Sequence, residues 1–236
     1  MKITVIIPMY NESAIIEKTA LALSEYMNKT FESYEIIFSD DGSTDNSVQL
    51  VRDMNLPCVR IIESVTNKGK GSAVRNAMLL ADGDIRVFTD ADLAYGTEVI
   101  GRAYDEMQKN DQADVLIGSR NLDSEGYDGY TIGRKLISKL YIKVLCVIGG
   151  LKLTDSQCGF KAFTADAAND IFSKCKVDGF AFDFEAILYA TDQKKNIIEM
   201  PVKIINHRNS SVRPLGDAIH MLKDLKDIKK NIKSGR

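Results

Sequence analysis

Short β-branched runs alternate with amphipathic segments through the first half of this chain, and that alternation leaves few folds open. Residues 3–8, 34–39, 59–63, 84–89 and 114–119 read as strands. Amphipathic stretches near 12–27, 44–54, 71–81 and 97–109 lie between them. Strands this apolar need cover on both faces, and helical crossovers supply it. The pattern predicts an α/β fold with a mainly parallel central sheet and helices on both faces. Ligands of such sheets gather beyond the carboxyl ends of the strands. Polar clusters stand at those ends: Tyr10-Asn11-Glu12, Asp40-Asp41-Gly42-Ser43 and Asp90-Ala91-Asp92.

The second half reads differently. A Gly/Tyr/Asp-rich loop over 122–130 leads into a helical pattern over 131–148. A strand-like stretch follows at 157–163, helices near 165–173 and 182–191, and a strand near 197–204. A last helix is expected after Pro214, running towards Lys233. There is no repeat and no low-complexity linker, so the expectation is one domain over 1–213 with a C-terminal amphipathic basic helix over 214–236.

The totals exclude several classes. With 44% hydrophobic and 27% charged residues in 236, the chain has the composition of a soluble globular domain. A net charge of −2 gives no global attraction for nucleic acid. Cys58, Cys146, Cys158 and Cys175 form no CxxC pair, and two histidines make a structural zinc site unexpected, so free thiols in a reducing cytosol are the default. The N-terminus shows no secretory pattern. The longest near-continuous apolar run, 144–151, falls short of the roughly 20 residues a membrane span needs.

The strand-end acids carry the chemistry. Asp90 and Asp92 repel each other and lose hydration where they stand, and a divalent cation carrying phosphate oxygens removes both penalties. Asp40 at the end of the second strand can accept the imino proton of a nucleobase. The same residues also read as a strand-to-helix turn, with Ser43 or Thr44 as helix cap. Asn67-Lys68-Gly69-Lys70-Gly71 opens a helix and suits an anion, or is a plain glycine turn. In Asp155-Ser156-Gln157-Cys158-Gly159-Phe160-Lys161, Asp155 could face a reacting sugar and Lys161 a phosphate, or the glycine simply permits close packing. The basic, hydroxyl-rich stretch 206–213 suits a phosphate, or is a solvated loop.

Two helices raise the question of a surface. Over 131–148, Lys135, Lys139 and Lys143 run beside Leu136/Leu140/Val144 and Ile137/Tyr141/Leu145. The C-terminal segment carries Ile219, Leu222, Leu225, Ile228 and Ile232 among lysines. Such stripes lie in an anionic membrane surface or face a protein core.

Together these motifs resemble a known family. Pro8-Met9-Tyr10-Asn11-Glu12, Asp40-Asp41-Gly42-Ser43, Gly69-Lys70-Gly71 and Asp90-Ala91-Asp92 look like the GT-A nucleotide-sugar-binding core of glycosyltransferase family 2. Gly118-Ser119-Arg120, the 155–161 stretch and Ser210-Ser211-Val212-Arg213 resemble the polyprenyl-phosphate sugar synthases, in their dolichyl-phosphate glucosyltransferase-like branch. The resemblance implies a nucleotide site from Pro8, Tyr10, Asn11, Glu12, Asp40, Asp41, Lys68, Lys70 and Ala91. It implies Mg²⁺ or Mn²⁺ on Asp92 and Asp90, which also count as catalytic. Arg120, Arg134 and Lys161 would meet the acceptor phosphate or diphosphate, and Arg208 or Arg213 would close over the diphosphate. Mannosyl relatives often carry a glutamine metal ligand where this chain has Ala94, so metal affinity without donor is expected to be weak.

The implied reaction is inverting transfer of a sugar, glucose favoured, from a nucleotide-sugar, UDP-glucose favoured, to a polyprenyl phosphate. A lipid phosphate with a second pKa of about 6 is largely ionised at neutral pH and needs no general base. Asp155, Asp183 and Glu185 are the catalytic candidates if one is needed. The implied setting is cytoplasmic, attached peripherally to the inner face of a membrane, as a homo-oligomer or with a separate membrane subunit. Competing readings are a family 2 transferase acting on a glycan hydroxyl, a metal-dependent nucleotidyltransferase, and a non-catalytic membrane-docking module.

Overall fold

The computed structural model describes residues 1–206, 225 and 227–232. Seven strands form one sheet: β1 (Ile3–Met9), β2 (Tyr34–Asp40), β3 (Val59–Glu63), β4 (Ile85–Phe88), β5 (Val115–Ser119), β6 (Lys161–Thr164) and β7 (Ile197–Pro201). Their order is β3-β2-β1-β4-β6-β5-β7. Every pairing is parallel except those of β6, which runs antiparallel to both β4 and β5. The reversal of strand β6 is what the alternation of the first half could not foretell. The strand-like stretch at 157–163 is mostly loop; its strand starts at Lys161.

Side-chain alternation divides β1 between the two faces. Ile3, Val5 and Ile7 pack on one side with α1 (Ile16–Thr30), α2 (Ser47–Asp53) and α4 (Glu98–Lys109). Ile6 packs on the other, with α3 (Lys70–Leu80), α6 (Ala165–Phe172) and α7 (Phe182–Asp192). Both faces of the sheet are therefore dry, and the strands can afford continuous apolar runs. Chain order reverses at β1, with β2 on one side and β4 on the other. That is the topological switch point where such sheets bind ligands, and Pro8 and Asp90 flank it.

A third apolar cluster lies outside α7. Leu145 of α5 (Ile132–Gly149) meets Phe184 and Leu188 there, together with Leu225 and Ile228. The described C-terminal residues 225 and 227–232 are helical and turn these apolar side chains inward. Their face belongs to the protein interior. Residues 207–224, including Arg208, Arg213, Ile219 and Leu222, lie outside the described residues. No described helix is long and apolar enough to cross a membrane.

Candidate active site

The loops after β1, β2 and β3 brace one another. Asn11 takes a left-handed φ of 54°, which asparagine tolerates. Its amide oxygen accepts the Thr44 N–H at 2.8 Å, and its own N–H donates to Ser43 Oγ at 2.9 Å. Glu12 N–H donates to Ser47 Oγ, so the loops after β1 and β2 are tied together. Asp40 is buried and accepts the N–H groups of Gly42 and Ser43. Asp41 reaches across to the next loop, accepting from Lys68 N at 3.0 Å and Gly69 N at 2.7 Å. Asn11 and Asp41 therefore position backbone; Tyr10 and Lys68 stand exposed beside them.

Gly69 and Gly71 are required by close packing at the start of α3. A Cβ at Gly71 would meet the Val177 carbonyl, and Gly71 N–H donates to the Asp178 carbonyl at 2.7 Å. This fixes Lys70, whose ammonium forms an ion pair with Asp90. Burial works against that charge, but Asp90, backed by Asp183 and Asp92, outweighs it and raises the Lys70 pKa. The acid segment itself is held from both ends. Thr19 Oγ1 donates to the Ala91 carbonyl at 2.5 Å, and Asn206 Nδ2 donates to the Leu93 carbonyl at 2.8 Å.

Gly159 packs directly on Asp90, where any Cβ would collide with the carboxylate. This glycine leaves room beside the acid, a role not apparent in the sequence. Hard carboxylate oxygens of Asp90 and Asp92 suit Mg²⁺ or Mn²⁺ in chemistry. No described group of three or more His, Cys, Asp or Glu side chains forms a self-sufficient metal cage.

A second cluster is organised around Arg120, just past β5. Its guanidinium grips Asp155 with Nε at 2.7 Å and Nη2 at 2.9 Å, and its backbone N–H also donates to Asp155. Asp155 is fully buried, and Gln157 N–H occupies it further. Burial opposes the Arg120 charge, but Tyr95 and Asp155 hold its pKa well above the usual arginine value. Glu199 of β7 accepts from Thr154 N, Thr154 Oγ1 and Asp155 N, fixing the turn that presents Asp155. Nothing in the sequence singled out Glu199 or Tyr127, whose ring lies 5.2 Å from the Arg120 guanidinium.

Three expected residues stand elsewhere than a ligand-facing role requires. Lys161 is fully buried; its ammonium donates to the Cys158 carbonyl at 2.6 Å and to Asp183 at 3.1 Å. It neutralises Asp183 inside the protein and meets no dissolved phosphate in this arrangement. Glu185 is buried too, accepting the N–H groups of Lys176 and Val177. Burial, only partly offset by those amides, raises its pKa. It lies two residues beyond Asp183 on α7 and so points away from it. Asp155 is spent on Arg120. Arg134, by contrast, is exposed on the first turn of α5, stacked 4.1 Å from the Tyr130 ring centroid.

Helix α5 presents an apolar surface. Ile132, Leu136, Leu140 and Val147 are 81%, 63%, 65% and 71% exposed. Ile137, Val144 and Ile148 extend the same face, while Ile142, Leu145 and Cys146 point inward. Of the two expected stripes, Leu136/Leu140/Val144 faces out entirely, whereas the other is split between exposed Ile137 and buried Leu145. Lys135 and Lys139 border this face, near Tyr127.

Comparison with known proteins agrees with the geometry. The family model "Glycosyl transferase family 2" matches residues 4–172. A dolichyl-phosphate beta-glucosyltransferase of Dictyostelium discoideum is 31% identical over 94% of this chain and 72% of its own length. The human protein of the same description is 31% identical over 95% and 74%. Among solved structures, glucosyl-3-phosphoglycerate synthase of Mycobacterium tuberculosis in complex with Mn²⁺, UDP and phosphoglyceric acid superposes with a TM-score of 0.73. That match covers 98% of this chain and 78% of that one at 18% identity, a likeness of fold. With its GT-A sheet and acid cluster, the chain belongs to glycosyl transferase family 2, in the group that includes the dolichyl-phosphate β-glucosyltransferases.

Proposed function

We propose that this protein transfers glucose from UDP-glucose to a polyprenyl phosphate, with inversion at the anomeric carbon. Pro8, Tyr10, Glu12 and Asp40 take the nucleoside, and Asp90 and Asp92 hold Mg²⁺ or Mn²⁺ on the diphosphate. When bound, the cation stabilises the negative charge gathering on the departing UDP. A phosphate oxygen of the lipid attacks C1 as the bond from C1 to the UDP oxygen breaks, giving a β-linked glucosyl phosphate from an α-linked donor. Both names of the curated relatives support glucose and a polyprenyl phosphate as the substrates.

The observation that carries the choice of acceptor is the Arg120–Asp155 pair. A hydroxyl acceptor calls for a general base, and Asp155, one of the three candidates, is locked bidentately onto an arginine. Asp183 has one oxygen on Lys161, and Glu185 holds backbone amides. A lipid monophosphate, largely ionised above about pH 6, requires none of them. Arg120 and Arg134 then act by orientation and charge, which is where most of the acceleration in such a site originates.

The exposed apolar face of α5 supports docking to the membrane that carries the acceptor. About seven apolar side chains in water are costly at roughly 25 cal/mol per Å², and lysines at the edge suit anionic headgroups. Arg134 lies at the N-terminal end of that helix, close to where a lipid phosphate would arrive. The test is incubation with a panel of nucleotide-sugars, Mn²⁺ and polyprenyl phosphate in vesicles, followed by mass analysis of the lipids. A hexosyl-phosphate lipid formed from UDP-glucose is expected. No sugar-phosphate lipid with any donor overturns the proposal.

A further inference from the structure

Lys70 stands in conflict with the metal that the site is proposed to hold. Its ammonium is paired with Asp90, one of the two carboxylates expected to take the cation, and it also feels Asp92. A fixed positive charge at that oxygen repels a divalent ion and denies it a ligand. Movement of the backbone cannot relieve this, because the first turn of α3 is pinned through Gly71 to Asp178 and packed without room for a Cβ. The lysine side chain, with its four-carbon stem, is the part free to rearrange.

An alternative seat is present. Asp183 is 8% exposed, and its Oδ2 accepts from Lys161, but its Oδ1 is buried without a hydrogen-bond partner. A buried carboxylate oxygen with no donor is a costly arrangement, and one that calls for a charge-assisted partner. Asp183 follows Phe182 on α7, and the Phe182 ring centroid is 5.9 Å from the Lys70 ammonium, within the range of a cation–π contact.

We propose that Lys70 is a displaceable resident cation, holding Asp90 in the free protein and moving to Oδ1 of Asp183 when a metal–nucleotide enters. This rests on the reading of Asp90 and Asp92 as the metal site. The exchange keeps Asp90 neutralised and ordered without donor, and it makes metal binding conditional on the nucleotide. Weak metal affinity in the free protein then has an active cause in Lys70, separate from the missing ligand at Ala94.

The test is titration of Mn²⁺ into the full-length chain without nucleotide, with free Mn²⁺ read by electron paramagnetic resonance. Lys70→Met and Lys70→Gln are expected to bind Mn²⁺ about tenfold more tightly than the unaltered protein, as removal of a neighbouring positive charge requires. Equal affinities, including no binding by any of the three, overturn the proposal and leave the incomplete shell as the cause. In a second arm with UDP present, Asp183→Asn is expected to weaken Mn²⁺ binding severalfold when Lys70 is intact and to have little effect beside Lys70→Met. The same effect in both backgrounds overturns the move to Asp183. If Asp183→Asn does not fold, Asp183→Ser takes its place in the same comparison of the two Lys70 backgrounds. Neither arm reads sugar transfer, so a failed glucosylation assay beside a positive Mn²⁺ result counts against the acceptor and not against Lys70.

Discussion

The proposed donor and acceptor sides of the site are built by different means. On the donor side, carboxylates sit at the ends of parallel strands, and Asp40 is satisfied by amides two and three residues on. On the acceptor side, Arg120 depends on Asp155, 35 residues away, and Asp155 is presented by Glu199, a further 44 residues on. The first side is a set of local turns that parallel pairing brings together. The second is a chain of buried polar contacts that exists only once β5, β6 and β7 have assembled. The lesson is that donor binding should tolerate disruption on the acceptor side, whereas acceptor geometry and stability should fail together.

The sharpest break of this contrast is on the donor side. Asp92→Ala is expected to lower transfer roughly a hundredfold to a thousandfold, the scale of losing a main electrostatic contact to the reacting charge. Initial rates beside thermal unfolding would show activity lost with the fold retained. An unaffected rate would remove Asp92 from the donor site.

Asp155→Ala should act the opposite way. It leaves the Arg120 guanidinium, 11% exposed, without its partner and is expected to cost about 3–5 kcal/mol of stability in denaturant unfolding. Asp155→Asn sharpens the point: a lost general base would abolish transfer while stability and UDP binding persist. Here stability and activity are expected to fall together.

In the proposed function the outward face of α5 delivers the acceptor and takes no part in the chemistry. Changing Leu136 and Leu140 together to Glu should reduce co-sedimentation with anionic vesicles about tenfold or more. Because both side chains are exposed, folding stability is expected to shift by only about 0.5 kcal/mol. Unchanged vesicle binding would overturn the proposed membrane docking of that face.

The smallest expected effect tests the bracing of the donor loops. Burial pulls the Asp45 pKa upward, but hydrogen bonds from Ser47 and Ser13 overcome it and lower it to about 2. A carboxylate with a depressed folded pKa adds stability above its unfolded value of about 3.9, and that stability is lost as pH falls towards the folded value. Asp45→Asn should therefore cost about 1 kcal/mol near neutrality. The gap in melting temperature should narrow between about pH 4 and pH 2.

The contrast also explains what could be read from the sequence. Strands β1 to β5 and the acids after β1, β2 and β4 were legible because each is a local pattern: an apolar run, then a polar turn. The places of Lys161 and Glu185 were not. Both are charged residues in segments whose neighbours alternate, and only the antiparallel entry of β6 and the packing of α7 bury them. The lysine-rich helices looked alike in sequence, yet Leu225 and Ile228 turn inward while Leu136 and Leu140 turn out. Which face is covered depends on α7, and no periodicity within either helix encodes that. Gly159 stood in the 155–161 stretch and read as a close-packing glycine, but its partner Asp90 lies far along the chain, and Glu199 stood in no motif at all.

The most direct measurement offers one acceptor in two forms. Polyprenyl phosphate and the corresponding free polyprenol, at equal concentration in the same vesicles, are incubated with the protein, UDP-glucose and Mg²⁺, and the lipid products are separated by mass. The account predicts glucosylation of the phosphate with β stereochemistry and none of the alcohol. Comparable glucosylation of the alcohol would contradict it, because one of Asp155, Asp183 and Glu185 would then have to act as a base.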